Sequence, residues 1–257
     1  MKKVWISALP HDEKLMPKIL GLLRKYGLDV NGHFWTDDIK KMAWTASLEE
    51  MLKHEPDLWI IVGSDQELGT DTIRYGLSLL ALAVQANKGP DFPIMILNSG
   101  QKLEPEILTT PLRNAMIIDV DNPALGAKVV AQVNIPRKKS TPEFRLDIHA
   151  HQSLGLWFEL GPGEQDWDGI LFGTFKGEID AHGVGEAGKL PRTAVLEYQM
   201  KGIKLQSGDK EYIAWAVRNK LTPDLSYYVR VRDMAQSILF GPFSADDELD
   251  VHKMELF

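Results

Sequence analysis

Asp147-Ile-His-Ala-His151 places three metal-ligating residue types at alternate positions. Alternate residues of a strand share a face, so Asp147, His149 and His151 would present a carboxylate and two imidazoles to one side. That chemistry could hold a divalent cation and activate water. A polar, solvent-facing side of a first or edge strand explains the same spacing, and on that reading no metal is expected. His182, in Asp180-Ala-His-Gly183, would join the group only if folding brought it near. The His-x-His pattern also occurs in amidohydrolases, but an eight-fold barrel does not fit a chain divided as this one is.

A second set of polar residues follows short apolar runs. Ser7 and His11 follow the first run, Trp35 the second, Ser64 and Asp65 the third, Ser99 the fourth and Asp119 the fifth. Gly63-Ser-Asp65 and Asn98-Ser-Gly100 are donor-rich turns that could cradle a phosphate, although such turns are also common where a strand reverses into a helix. Asp65 and Asp119 disfavour a bare phosphate and suit ribose hydroxyls or a bridging cation. No Walker loop, Gly-x-Gly-x-x-Gly after a strand, nucleophile elbow or His-Glu-x-x-His is present.

The elements that must position these residues alternate through the first half. Val4–Ala8, Val30–Trp35, Leu58–Val62, Pro93–Leu97 and Ala115–Val120 read as strands. Between them, Glu13–Tyr26 has apolar positions at helical spacing and ends at Gly27. Ser47 can cap a helix carrying Leu48, Met51 and Leu52, Thr70 or Asp71 caps a long helix to Asn87, and Pro123 opens a last one. Five strand–helix units predict a parallel sheet with helices on both faces, in which ligands bind at the carboxyl ends of the strands. The seven strand-end residues should therefore cluster, with the helix N-terminus at Thr70 facing them.

The pattern changes near Asn134–Pro142, where prolines flank a short basic run. Beyond it come short alternating segments at 144–148, 155–160, 170–179, 194–201, 212–218, 227–232 and 238–240, as expected of an antiparallel β-sandwich. We expect an α/β domain over 1–136, a sandwich over 143–245 and a tail over 246–257, which would form a helix from Ser244 or dock its apolar end elsewhere. Trp167 lies in a turn-rich acidic loop and would either anchor a partner or fold back onto its own loop.

Two such domains fit a chain of 257 residues. A net charge of −7 argues against an extended nucleic-acid footprint. The apolar stretch after Met1 stops at Pro10, and no run approaches the roughly 18 apolar residues of a membrane span, so a protein without membrane contact is expected. The absence of Cys excludes disulfides, thiolate metal sites and a Cys nucleophile, and it fits a cytoplasmic location.

Val4-Trp-Ile-Ser7, Leu58-Trp-Ile-Ile-Val-Gly-Ser64 and Leu68-Gly-Thr-Asp-Thr-Ile-Arg-Tyr-Gly-Leu77 together resemble the Toll/interleukin-1 receptor (TIR) domain over about residues 3–133. The resemblance implies a flavodoxin-like fold. It puts Gly76 where enzymatic members carry the Glu used in NAD cleavage, and Thr72 where the family has Trp. Without that carboxylate the resemblance implies an interaction or sensing module more than a hydrolase. A response-regulator receiver shares the element order, and Asp65 and Ser99 would serve it, but its Lys after the fifth strand is missing. A flavodoxin-type flavin site would need a Ser/Thr/Gly-rich loop where Ala8–Glu13 stands.

In the second half, Leu221-Thr-Pro-Asp-Leu-Ser-Tyr-Tyr-Val-Arg-Val231 resembles the tyrosine corner of fibronectin type III domains. It implies that Tyr227 is buried with Val229 and Val231 and bonds the backbone near Leu221 or Pro223. Leu196–Gln199 resembles that family's third strand, and Gly241-Pro-Phe-Ser244 its last stretch. The expected function is non-catalytic recognition of a protein or nucleotide-like ligand. A nucleotide- or nucleoside-processing enzyme with its site at the same strand ends is the alternative, and metal-dependent hydrolysis through His149 and His151 is a third. The sequence names no cofactor and no oligomeric state.

Overall fold

Apolar runs without alternation, such as Leu58–Gly63 and Ile94–Asn98, are buried along their whole length because both faces of a parallel sheet are covered. The computed structural model describes residues 1–136, 141–243 and 250–257. The chain divides into two units, Met1–Lys139 and Ser140–Phe257.

In the first unit, β1 (Lys3–Ala8), β2 (Asp29–Phe34), β3 (Leu58–Gly63), β4 (Ile94–Asn98) and β5 (Met116–Asp119) form one parallel sheet in the order β2-β1-β3-β4-β5. The helices are α1 (Leu15–Lys25), α2 (Trp44–His54), α3 (Asp65–Leu68), α4 (Asp71–Lys88) and α5 (Leu125–Val133). Met16, Ile19 and Leu23 of α1 and Val129 and Val133 of α5 pack on Val4, Ile6, Ile60 and Leu97. The strand residues that alternate with these, among them Trp5 and Trp59, face the other way and are as fully buried. Helix α1 ends in a left-handed Gly27 with φ of 76°, as its sequence predicts. Helix α2 begins three residues before the expected Ser47 cap, because Trp44, at 2% exposure, already belongs to the core. Among the described residues no helix is long and apolar enough to cross a membrane.

The second unit is a sandwich of two antiparallel sheets. One has the order β6-β7-β12-β9, the other β10-β11-β8-β13-β14. The strands are β6 (Phe144–His151), β7 (Gly155–Pro162), β8 (Ile170–Phe175), β9 (Glu178–Glu186), β10 (Met200–Ser207), β11 (Lys210–Val217), β12 (Leu225–Arg232), β13 (Ser237–Pro242) and β14 (His252–Glu255). Phe158 of β7 meets Phe172 of β8 at 5.3 Å between ring centres, which sets the inner face.

The single strand expected over 170–179 is two strands in different sheets. Lys176 and Gly177, with φ of 51° and 90°, break it in a tight turn. Residues 194–199 form no strand; pairing starts at Met200, and Val195 and Tyr198 are exposed. The fibronectin-like third strand at Leu196–Gln199 is therefore absent. The apolar end of the tail docks as β14 on β13, whereas a helix starting at Ser244 would lie in residues outside those described. Tyr227, Val229 and Val231 are buried as expected, but the Tyr227 hydroxyl pairs with His182 Nδ1 at 2.8 Å instead of the backbone before it. Tyr228, on the opposite face, instead donates to a backbone carbonyl, that of Glu186, at 2.6 Å. Trp167 is 8% exposed and shares a two-bond bridge with Leu221, so it folds back into the unit instead of standing out as an anchor.

Candidate functional site

The strand order of the first unit reverses between β1 and β3, where an open sheet leaves a crevice. Here Leu9 fills it. A Cβ on Gly63 would lie 2.6 Å from the Leu9 side chain, and the Leu9 N–H donates to the Val62 carbonyl at 2.9 Å. Ser7 is fully buried and accepts a bond from Trp59 Nε1 at 2.9 Å, which satisfies the indole inside the core. Trp35 also turns inward, with its ring against Gly76 of α4. His11 lies outside, stacked at 4.7 Å on the exposed Phe34.

The remaining four candidates are joined along the ends of β3, β4 and β5. Ser64 caps α3 in a reciprocal box, accepting from the Glu67 N–H while its own N–H donates to Glu67 Oε2 at 2.8 Å. Asp65 Oδ1 accepts from the Gln101 N–H at 3.1 Å, and Gly100 lies so close to Ser64 and Asp65 that a side chain there would collide with both. Asn98 Nδ2 donates to Asp119 Oδ1 at 3.1 Å and to the Gln101 carbonyl at 2.7 Å. Ser99 remains exposed on this rim, its N–H bonded to the Gly63 carbonyl. Asn98, which the sequence places in a donor-rich turn at the end of the fourth strand, is the link to Asp119; Gln101, which takes part through its backbone N–H and carbonyl, carries no signal in its residue type. At the start of α4, Thr72 donates to Asp37 at 2.6 Å, so a carboxylate already lies at this helix N-terminus.

Outside the rim, His33 of β2 accepts a bond at Nδ1 from Trp5 Nε1 at 3.0 Å. Burial lowers its pKa to about 4. It borders a cavity of about 150 Å³ between α1 and β2, lined also by Met16, Leu20 and Arg24.

In the second unit the outer face of β6-β7-β12 carries a buried polar group. Asp147 of β6 is registered opposite Glu159 of β7, and Glu159 opposite Tyr228 of β12. Glu159, with a side chain only 4% exposed, faces His149 Nε2 through Oε2 at 2.5 Å. Its Oε1 accepts from Ser226 Oγ and the Gly188 N–H, each at 2.7 Å, and Arg145 lies 3.6 Å away. Arg145 is itself held by Ser226 and by the carbonyls of Pro162 and Leu225.

Burial pushes Glu159 up, but its bonds to His149, Gly188 and Ser226 outweigh this and hold it below the usual carboxylate range. The Glu159 bond raises His149 against the effect of burial. Burial raises Asp147. His151 is not in this group: it is exposed and bonds Ser153 in the turn that follows β6. His182 lies on the inner face beside Tyr227 and Trp215. Glu159 could not be placed from sequence, because only the register of β7 on β6 brings it opposite Asp147.

Fold and sites thus define a protein of two units, a parallel α/β sheet with a polar rim and an antiparallel sandwich with a buried polar face. No protein-family model and no curated protein matches the chain. Among solved structures, a two-domain esterase (CEX) active on acetylated mannans, crystallised with mannopentaose, aligns over 96% of this chain and 92% of that one. The identity is 10% and the TM-score 0.29. A second structure of a two-domain esterase (CEX) active on acetylated mannans aligns over 99% and 89%, with 9% identity and a TM-score of 0.27.

Proposed function

We propose that this protein is a non-catalytic recognition module, and that its first unit binds a protein or nucleotide-like ligand on the rim formed by Ser64, Asp65, Ser99 and Asp119. One observation carries this reading. At Gly76, where the TIR resemblance puts the carboxylate of NAD-cleaving members, a Cβ would stand 2.7 Å from the Trp35 ring and 3.0 Å from Ile39. The indole takes the place of the acid, and no carboxylate fits there without moving it. On the rim, Ser64 is bonded to Glu67, Asp65 to the Gln101 N–H, and Asn98 to both Asp119 and the Gln101 carbonyl. Such a rim is pre-organised, which lowers the cost of ordering on binding. The Ser64 hydroxyl donates to Glu67 Oε2 at 2.9 Å, but the same oxygen also accepts from the Ser64 N–H and the hydroxyl accepts from the Glu67 N–H, so we read the pair as the closed cap of α3.

A panel of nucleotides screened by thermal shift tests the reading. Stabilisation by a nucleotide should disappear in Ser99→Trp, which fills the rim from an exposed position and leaves the Ser64–Glu67 box intact. Stabilisation that survives this substitution places the site elsewhere. If no nucleotide stabilises the protein, the partner is a protein, and a partner captured by the wild type should be lost by Ser99→Trp.

A further inference from the structure

We propose that Asp147, His149 and Glu159 form a binding site for a divalent cation of the zinc class on the outer face of β6-β7-β12. A carboxylate oxygen from each acid and one imidazole nitrogen lie within 4.8 Å of one another, and the three side chains are buried or half-buried. Asp147 and Glu159 stand directly opposite each other on neighbouring strands. Like charges in that position repel; His149 and Arg145 offset this in the absence of metal, and a cation bound between the two carboxylates would offset it further. His149, two residues along the same face, supplies the nitrogen.

Donor chemistry selects the metal. One imidazole with two carboxylates suits zinc or its first-row neighbours better than calcium or magnesium, which take oxygen ligands in larger number. Bonds of about 2.1 Å at tetrahedral angles need donors about 3.4 Å apart, so the His149–Glu159 contact must open by about 1 Å and Asp147 close in. Glu159 Oε1 stays fixed by Ser226, Gly188 and Arg145, which orient the carboxylate from behind as outer-shell partners of metal ligands do. Three protein ligands leave a fourth position for water.

The inference is independent of the rim of the first unit. It is tested on the full chain, stripped with chelator and titrated with Zn²⁺ alone by calorimetry, and with Co²⁺ followed by its visible d–d absorption. One Zn²⁺ per chain is expected, with tetrahedral Co²⁺ bands. Asp147→Asn, which nearly conserves shape, and His149→Ala should each weaken Zn²⁺ binding at least tenfold, whereas His151→Ala should leave it unchanged. Should His149→Ala fail to fold by circular dichroism, Asp147→Asn decides alone. The proposal is overturned by absence of stoichiometric binding, by unchanged affinity in Asp147→Asn, or by loss of binding in His151→Ala.

Discussion

Lowering the pH from 7 to 4.5 should loosen the sheet of the first unit, and His33 is the cause. Its Nδ1 accepts a hydrogen bond from Trp5 Nε1, so the ring proton must sit on Nε2, which is buried without a partner. A second proton would have to go on Nδ1, against the Trp5 N–H. Burial therefore holds the folded-state pKa near 4, below the ordinary value of 6.5.

The unfolded chain binds this proton as pH falls through 6.5, and the folded chain only near 4. Stability is thus complete above pH 6.5 and lost on the way down to 4. The full gap would amount to about 3 kcal/mol, and the partial exposure of His33 reduces this to about 2 kcal/mol at pH 4.5. Hydrogen exchange of peptides covering β1 and β3, corrected for intrinsic rates, reads this unit alone. His33→Phe cannot titrate, so its loss of protection between pH 7 and 4.5 should be smaller than that of the wild type by about 2 kcal/mol. Equal losses in both proteins would refute the reasoning.

Gly76→Ala should destabilise by about 1–3 kcal/mol in thermal or urea unfolding, because the new methyl meets Trp35; at an open helix position the same change would stabilise by about 1 kcal/mol. Stabilisation would show that Trp35 does not fill this space. Tyr227→Phe should cost about 1 kcal/mol through the lost His182 bond, and Tyr227→Ala about 3–5 kcal/mol; urea unfolding that shows equal, small losses for both would remove Tyr227 from the core. In metal-free protein, Glu159→Gln should destabilise the second unit by about 3 kcal/mol by leaving Arg145 and His149 without their anion, and a near-neutral result would mean that the pair is solvated.

The first unit is legible in the sequence because its apolar runs are unbroken and its helices have distinct ends, as at Gly27 and Thr70. Helix α2 starts early since burial of Trp44, a tertiary effect, outweighs the local preference of Ser47 for a cap. In the second unit, Lys176 and Gly177 hide a change of sheet inside one apolar segment. Half-polar β10, whose Met200, Ile203 and Leu205 pack against Tyr212 and Ala214 of the neighbouring strand, reads as loop when the more apolar 194–199 precedes it. The period-two spacing of Asp147 and His149 is legible, but the third member of their group is set by strand register. At the rim, the sequence placed Ser64, Asp65, Ser99 and Asp119 at strand ends. It could not tell that Leu9 would close the crevice beside Ser7, or that Trp35 would turn toward Gly76.

The measurement that bears most directly on recognition without catalysis is the release of nicotinamide from NAD by the purified protein, followed by chromatography against an enzyme-free blank. Release at the rate of the blank is predicted. Release above it that disappears on substituting Asp65, Glu67 or Asp71 would contradict the account and make the first unit an enzyme with its acid on the rim.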